Sequence, residues 1–234
     1  MNKRITVLTG AGFSRASGVP TFRGEDESLW SKYNPADLAT PQAFSRNPTL
    51  VWDWYKWRIG IVLRTQPNQA HKVLATLEQK NADISIITQN VDNLHERAGS
   101  SNVTHVHGEI LKARCTKCTS FFTWTEKKLE KTESIPQCLE CESYYRPDVV
   151  WFGESLDTKI LGKCYELLTH TDVLIIAGTS AVVFPVARFP FLAKKYNPSV
   201  EIFEFNIERT PISSMVNQTI LGPVEKTLDN FFQF

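Results

Sequence analysis

Two Cys-x2-Cys pairs, Cys115/Cys118 and Cys138/Cys141, lie 19 residues apart and constrain this 234-residue chain more than any other feature. Each tight CxxC turn presents two thiolates on one side. Two such knuckles complete a tetrahedron around Zn²⁺ at about 2.3 Å per sulfur. All four positions would be filled by protein, leaving no open place for a catalytic water, so the expected zinc is structural. Four free thiols are the other reading of the same residues. Disulfides are not expected. Met1-Asn2-Lys3-Arg4 runs straight into a strand-like segment with no apolar secretory stretch, which makes the cytoplasm the expected compartment. Cys164 stands alone in a helical stretch and reads as a small buried hydrophobe.

The cysteines interrupt a regular rhythm. Short apolar strands are expected at Ile5–Thr9, Ile84–Thr88, Val103–His107, Asp172–Ala177, Glu201–Asn206 and Gln218–Leu221. Helical stretches fall between several of them. One is capped by Asn68 and buries Val73, Leu74 and Leu77; another runs around Ala187–Lys195, and a last begins near Glu225. Continuous apolar strands alternating with helices indicate an α/β fold, a doubly wound parallel sheet covered on both faces. Two segments break the pattern, and together they are expected to form a smaller lobe. The expected main domain comprises residues 1–22, 65–107 and 148–234; residues 23–64 form a loop and helical insertion, and 108–147 a zinc-ribbon insertion.

Charge narrows the function classes. Lys+Arg number 26 against 25 Asp+Glu, so no basic field argues for nucleic acid. The longest apolar runs, such as Val173–Ala177, are too short to span a bilayer, so no membrane partner is expected.

Polar motifs fall at the predicted C-terminal ends of strands, where ligands bind open parallel sheets. Gly10-Ala11-Gly12 follows the first strand, and its backbone amides are expected to cradle a pyrophosphate, although Arg15 replaces the third glycine of the usual fingerprint. The same turn also fits a tight strand-to-helix junction. Gln89, Asn90 and Asp92 follow the second strand and supply amides and a carboxylate for a polar ligand, or cap the next helix. Alternation on a strand would put His105 and His107 on one face, and His107 before Gly108 is a candidate general base. Gly178-Thr179-Ser180 ends the fourth strand. Arg146–Glu154 is an extended segment able to pair with a peptide strand, or an ordinary sheet edge.

In combination these segments resemble the sirtuins, the NAD-dependent protein-lysine deacylases. The resemblance is carried in order by GAGFSRASGVPTFR at 10–23, TQNVDNLH at 88–95, His107-Gly108, the four cysteines, RPDVVWFGE at 146–154, GTS at 178–180 and Gly222-Pro223. It covers nearly the whole chain and implies a Rossmann-like NAD domain with a small zinc lobe. It further implies that Gly10, Ala11, Gly12, Phe22 and Arg23 line the NAD pocket, and that Gln89, Asn90 and Asp92 hold the nicotinamide and ribose. Gly178, Thr179, Ser180 and Asn206 fall to the adenosine half, with Val224 on the adenine side. His107 is implied as the base, and Val150 and Phe152 as part of the substrate-pairing stretch. By the same resemblance the substrates are acyl-lysine proteins or peptides, and the products are nicotinamide, free lysine and O-acyl-ADP-ribose. ADP-ribosyl transfer or NAD hydrolysis would use the same pocket. The sequence does not specify whether the chain self-associates, and a monomer is the working expectation.

Tyr55 and Arg58 stand at i and i+3 on an expected helix. A hydroxyl beside a guanidinium makes a carboxylate receptor. The same spacing also fits a core stripe of Val51, Tyr55, Arg58 and Val62, with Arg58 snorkelling outward. This Tyr-x-x-Arg is similar to that of the sirtuin branch that removes succinyl, malonyl or glutaryl groups, which implies an acidic acyl substrate besides acetyl. Where that branch tends to carry a small residue, Gly24 is followed here by Glu25-Asp26-Glu27, side chains that would repel an acidic acyl chain inside the pocket.

Overall fold

The structure, a computed structural model, describes residues 3–21, 29, 33–80 and 83–232. The chain begins with β1 (Arg4–Thr9) and α1 (Ala11–Arg15), followed by the helices α2 (Pro35–Leu38), α3 (Pro41–Arg46) and α4 (Pro48–Arg64). It continues through α5 (Gln69–Gln79), β2 (Asp83–Thr88), α6 (Leu94–Ala98) and β3 (Val103–His105). The cysteine segment holds β4 (Gly108–Cys115), β5 (Phe121–Thr123), α7 (Glu126–Lys131) and β6 (Tyr145–Val149). The last third is α8 (Thr158–His170), β7 (Val173–Ala177), α9 (Phe189–Tyr196), β8 (Glu201–Asn206), β9 (Gln218–Leu221) and α10 (Val224–Phe232).

Six strands pair in parallel in the order β3-β2-β1-β7-β8-β9. Successive residues serve opposite faces, which is why these strands read as unbroken apolar runs. Val7, Ile86 and Ile175 pack under α5 and α10 with Val73, Leu74 and Leu228. Leu8, Ile87, Leu174 and Ile176 pack against α8 and α9 with Cys164, Leu168 and Phe189. Asn68 caps α5 through a reciprocal capping box with His71, worth about 1 kcal/mol. The strand order reverses at β1, which has β2 on one side and β7 on the other. The C-terminal ends of β1 and β7 therefore open the crevice where such sheets take ligands.

The two interrupting segments share one core. Trp52, Tyr55, Ile59 and Val62 of α4 bury against Ile110, Ala113, Trp124 and Tyr145 of the cysteine segment. Asn47 caps α4 and Pro48 starts it, and the stripe Val51, Tyr55, Arg58, Val62 is buried along its length. A three-stranded antiparallel sheet, β5-β4-β6, carries the knuckles.

Two boundaries differ from expectation. The third strand stops at His105, because Val106-His107 turn and Gly108, at φ +78, redirects the chain into β4 of the small sheet. A Cβ at Gly108 would lie 2.2 Å from the Asp148 carbonyl oxygen, so the crossing of β4 and β6 requires glycine there. The small sheet also keeps Asp148 and Val149, beyond the boundary expected at 147. Among the described residues, no helix is long and apolar enough to cross a membrane.

Candidate active site

The glycines at the strand-order reversal pack two turns against each other. Gly10 donates its N–H to the Ala177 carbonyl at 3.1 Å and Gly12 donates to the Gly178 carbonyl at 2.8 Å. A Cβ on Gly12 would meet the Gly178 oxygen at 2.9 Å, and one on Gly178, at φ +62, would meet the Phe13 nitrogen at 2.3 Å. This corrects the expected amide cradle: the two glycine amides are committed inside the protein, and the glycines serve the close approach of the two turns. Ala11, between them, lines the cleft.

That cleft encloses about 1360 Å³ and runs between the large sheet and the small lobe. It exceeds the roughly 300–1,000 Å³ of ordinary ligand pockets, which suits an extended cofactor together with a second substrate. Gly10, Ala11, Gly12, Gln89, Asn90 and His107 form its floor and near wall. Gly178, Thr179, Ser180, Asn206 and Val224 line the end beside β7, β8 and α10. Tyr55, Arg58, Val150 and Phe152 line the side toward the small lobe. Phe22, Arg23 and the acidic run Glu25–Glu27 lie outside the described residues.

Hydrogen bonds fix the floor. The Gln89 side chain donates to Thr179 Oγ1 at 2.9 Å, and Asn206 Nδ2 donates to the Thr179 carbonyl at 2.9 Å, so Thr179 ties together the ends of β2, β7 and β8. Asn90 Nδ2 donates to Ser14 Oγ at 3.0 Å. Asp92 does not reach the large cleft. It is buried and borders a small cavity of about 20 Å³ behind the cleft, with Ser14, Asn90 and Arg58. Burial raises the Asp92 pKa, against hydrogen bonds from the Leu94 amide and the Ser14 hydroxyl. Ser14, within the glycine motif but not singled out by its spacing, joins Asn90 to Asp92 through its hydroxyl.

His107 and His105 separate chemically. His107 Nδ1 lies 3.1 Å from the Gln89 carbonyl, which accepts only a proton-bearing nitrogen, so in the neutral ring Nε2 carries the lone pair. Burial lowers its pKa, partly offset by that hydrogen bond, which keeps the ring in its basic form at neutral pH. His105 is held instead by the Asn90 carbonyl at 3.0 Å and the Glu96 carboxylate at 2.7 Å. Burial pushes the His105 pKa down, but Glu96 outweighs it and the net shift is upward. His105 is therefore braced on both ring nitrogens by Asn90 and Glu96, and His107 is the base candidate on the cleft.

On the lobe side, Arg58 does not snorkel away from the core: it is 8% exposed, and its guanidinium carbon lies 4.7 Å from the Trp54 ring centre and 5.5 Å from that of Tyr55. Burial raises the Tyr55 pKa against the Arg58 charge, so the phenol keeps its proton. Trp151 Nε1 donates to Tyr55 Oη at 2.9 Å, a contact that the motif reading left without a role. The peptide-pairing expectation needs amendment. Val150 donates its N–H to the His107 carbonyl and Phe152 to the Ala39 carbonyl, both at 2.9 Å, so these two donors are taken within the chain.

The four cysteine sulfurs all lie within 4.8 Å of one another, with Cys115–Cys141 at 3.4 Å and Cys118–Cys138 at 3.5 Å. Four sulfurs about 2.3 Å from a common centre would stand just under 4 Å apart, so the quartet fits a tetrahedral Zn²⁺. The Cys115 sulfur also accepts the amides of Lys117 and Cys118, the turn geometry that presents a thiolate to a metal.

Comparison with known proteins agrees with this geometry. Residues 10–185 match the model of the Sir2 family. A NAD-dependent protein deacylase of Aquifex aeolicus is 46% identical over 220 residues, spanning 92% of this chain and 88% of that relative. One from Aeropyrum pernix is 52% identical over 195 residues, 83% of this chain and 78% of its own length. Among solved structures, a Sir2 homologue in complex with NAD superposes with a TM-score of 0.90 at 44% identity, covering 98% of this chain and 88% of the other. A Sir2–p53 peptide–NAD⁺ complex gives a TM-score of 0.86 at 31% identity, covering 99% and 93%.

Proposed function

From the premise that this chain belongs to the Sir2 family and is a NAD-dependent protein deacylase, we propose that it removes acidic acyl groups such as succinyl and malonyl, besides acetyl, from protein lysines. One observation carries the acyl reading: a hydroxyl and a guanidinium, Tyr55 and Arg58, stand together on the cleft wall under nearly full burial. Neighbouring solvent is scarce there, so a terminal carboxylate entering the cleft gains a charge-assisted bidentate partner that a neutral acetyl group cannot use.

The cofactor fits the cleft for reasons internal to the chain. A Cβ on Gly10 would collide with Thr179 and one on Gly12 with Gly178 where the two turns cross, and the cleft, at about 1360 Å³, has room for a dinucleotide. Gln89 and Asn90 would hold the nicotinamide and its ribose, with Asp92 acting from behind through Ser14. Ser180 and Asn206 would hold the adenosine half, beside Val224. When bound, NAD would supply an electrophilic ribose carbon, from which nicotinamide departs as the acyl oxygen adds. His107, with Nδ1 held by the Gln89 carbonyl, would take up at Nε2 the proton of a ribose hydroxyl, directly or through the sugar. Val150 and Phe152 position the substrate segment. Zinc, held by Cys115, Cys118, Cys138 and Cys141, keeps the lobe folded and takes no part in the chemistry.

Arg58→Met tests the proposal. Rates on one peptide carrying acetyl-, succinyl- or malonyl-lysine should show desuccinylation falling at least tenfold more than deacetylation, since a hydrogen bond to a charged group contributes about 1.5–3 kcal/mol. An equal loss on all three peptides refutes the acyl assignment while leaving the deacylase assignment standing. Recovery of acyl-ADP-ribose, rather than ADP-ribose alone, checks the group transfer.

A further inference from the structure

The segment that closes the lobe side of the cleft is held by a clamp. Arg146 is 8% exposed, and its guanidinium carbon sits 3.4 Å over the Trp151 ring. Both of its terminal nitrogens pair with the Glu154 carboxylate, and Nη2 also donates to the Val149 carbonyl at 3.0 Å. Glu154 in turn accepts the Trp151 backbone N–H at 2.8 Å. Backbone and ring of Trp151 are thus fixed independently of its indole N–H. That N–H reaches across to α4 and donates to Tyr55 Oη at 2.9 Å, with both side chains buried.

An indole nitrogen only donates, and a phenol has one proton. The Trp151 contact therefore occupies a lone pair of Tyr55 and leaves the phenolic hydrogen to be donated elsewhere. Tyr55 and Arg58 line the same cleft. We propose that Trp151 is a positioning residue for acyl selectivity, holding the Tyr55 hydroxyl as a hydrogen-bond donor toward a carboxylate bound beside Arg58. Without the indole N–H, the hydroxyl is free to rotate, and its donor is no longer pre-aimed at the acyl terminus. This inference rests on the acidic-acyl reading above.

The test is Trp151→Phe, which keeps an aromatic ring beneath Arg146 and removes the N–H. Its ratio of desuccinylation to deacetylation kcat/KM should fall about three- to tenfold, mostly through KM for the succinyl peptide, as loss of one hydrogen bond predicts. Peptide affinities read by fluorescence anisotropy without NAD should move by the same ratio. In a Tyr55→Phe background, Trp151→Phe should add no further loss of selectivity. Should the Phe variant melt early, benzothienylalanine at position 151 supplies the indole shape without the donor. A parallel loss on both peptides, or additive effects in the double variant, overturns the role. If Arg58→Met loses desuccinylation selectively while the position 151 variants keep the wild-type ratio, this inference fails and the acidic-acyl reading stands. If the wild-type protein has no activity on succinyl-lysine, both fall.

Discussion

Acid should unfold this protein through a histidine beneath the nucleotide turn. His71 is fully buried, its Nδ1 accepts the Asn68 amide at 3.3 Å in the capping box, and its ring packs against Phe13 and His95 at 4.9 Å each. Burial pushes its pKa down from 6.5 to about 3. The folded pKa lies below the unfolded one, so the unfolded chain takes up the proton first as pH falls through 6.5. Stability is then lost continuously until the folded ring also protonates near pH 3. At pH 4.5, two units below the unfolded value, the loss is about 2.7 kcal/mol, at about 1.4 kcal/mol per unit. His95, lowered well below 6.5 by burial and by the neighbouring histidines, adds a loss of the same sign. His71→Gln keeps an ordinary capping-box acceptor at this position and cannot titrate. Urea unfolding at pH 7 and pH 4.5 should show the wild type losing about 2.7 kcal/mol more than the variant. With slopes of about 2–3 kcal/mol per molar, the midpoints then separate by about 1 M. Equal acid shifts in the two proteins would refute the assignment of this loss to His71.

His107→Ala should stay folded and lose about 10²- to 10⁴-fold in NAD-dependent turnover; wild-type-like rates exclude it as the base. Because burial lowers the His107 pKa, its basic form persists as pH falls, and the acid limb of kcat/KM should have its midpoint below 6.5, whereas a midpoint above 6.5 would contradict the buried neutral ring. Stripping zinc with a strong chelator, or replacing Cys138 by Ser, should melt the lobe that carries Tyr55 and Arg58 and abolish turnover, since the ion would tie the end of β4 to the Cys138–Cys141 turn ahead of β6, and Cys115 and Cys138 belong to the core around Trp52 and Tyr145. Restored helicity and rate on adding Zn²⁺ back to the stripped protein would accompany a structural role; full activity with four titratable thiols would rule it out.

The sequence alone determined the elements whose cause is local. Unbroken apolar runs marked the strands because both faces of the sheet are covered, and Asn68 and the paired cysteines announced a cap and a metal quartet through spacing that acts within a few residues. The colinear motifs then placed Gly10–Gly12, Gln89, Asn90, Gly178–Ser180 and Asn206 at the ends of β1, β2, β7 and β8, where strand order alone would bring them together. Tertiary structure decided whatever depends on partners distant along the chain. It committed the amides of Gly10 and Gly12 to β7 and set Asp92 behind the cleft. It ended the third strand at His105, and it gave two histidines two residues apart opposite pKa shifts, because burial lowers both and Glu96 outweighs it only at His105. It also carried Trp151 across to Tyr55, 96 positions earlier. A hydrogen bond has no signature in spacing when its donor and acceptor meet only after two separate insertions fold onto one core, and that is where pattern stops and packing begins.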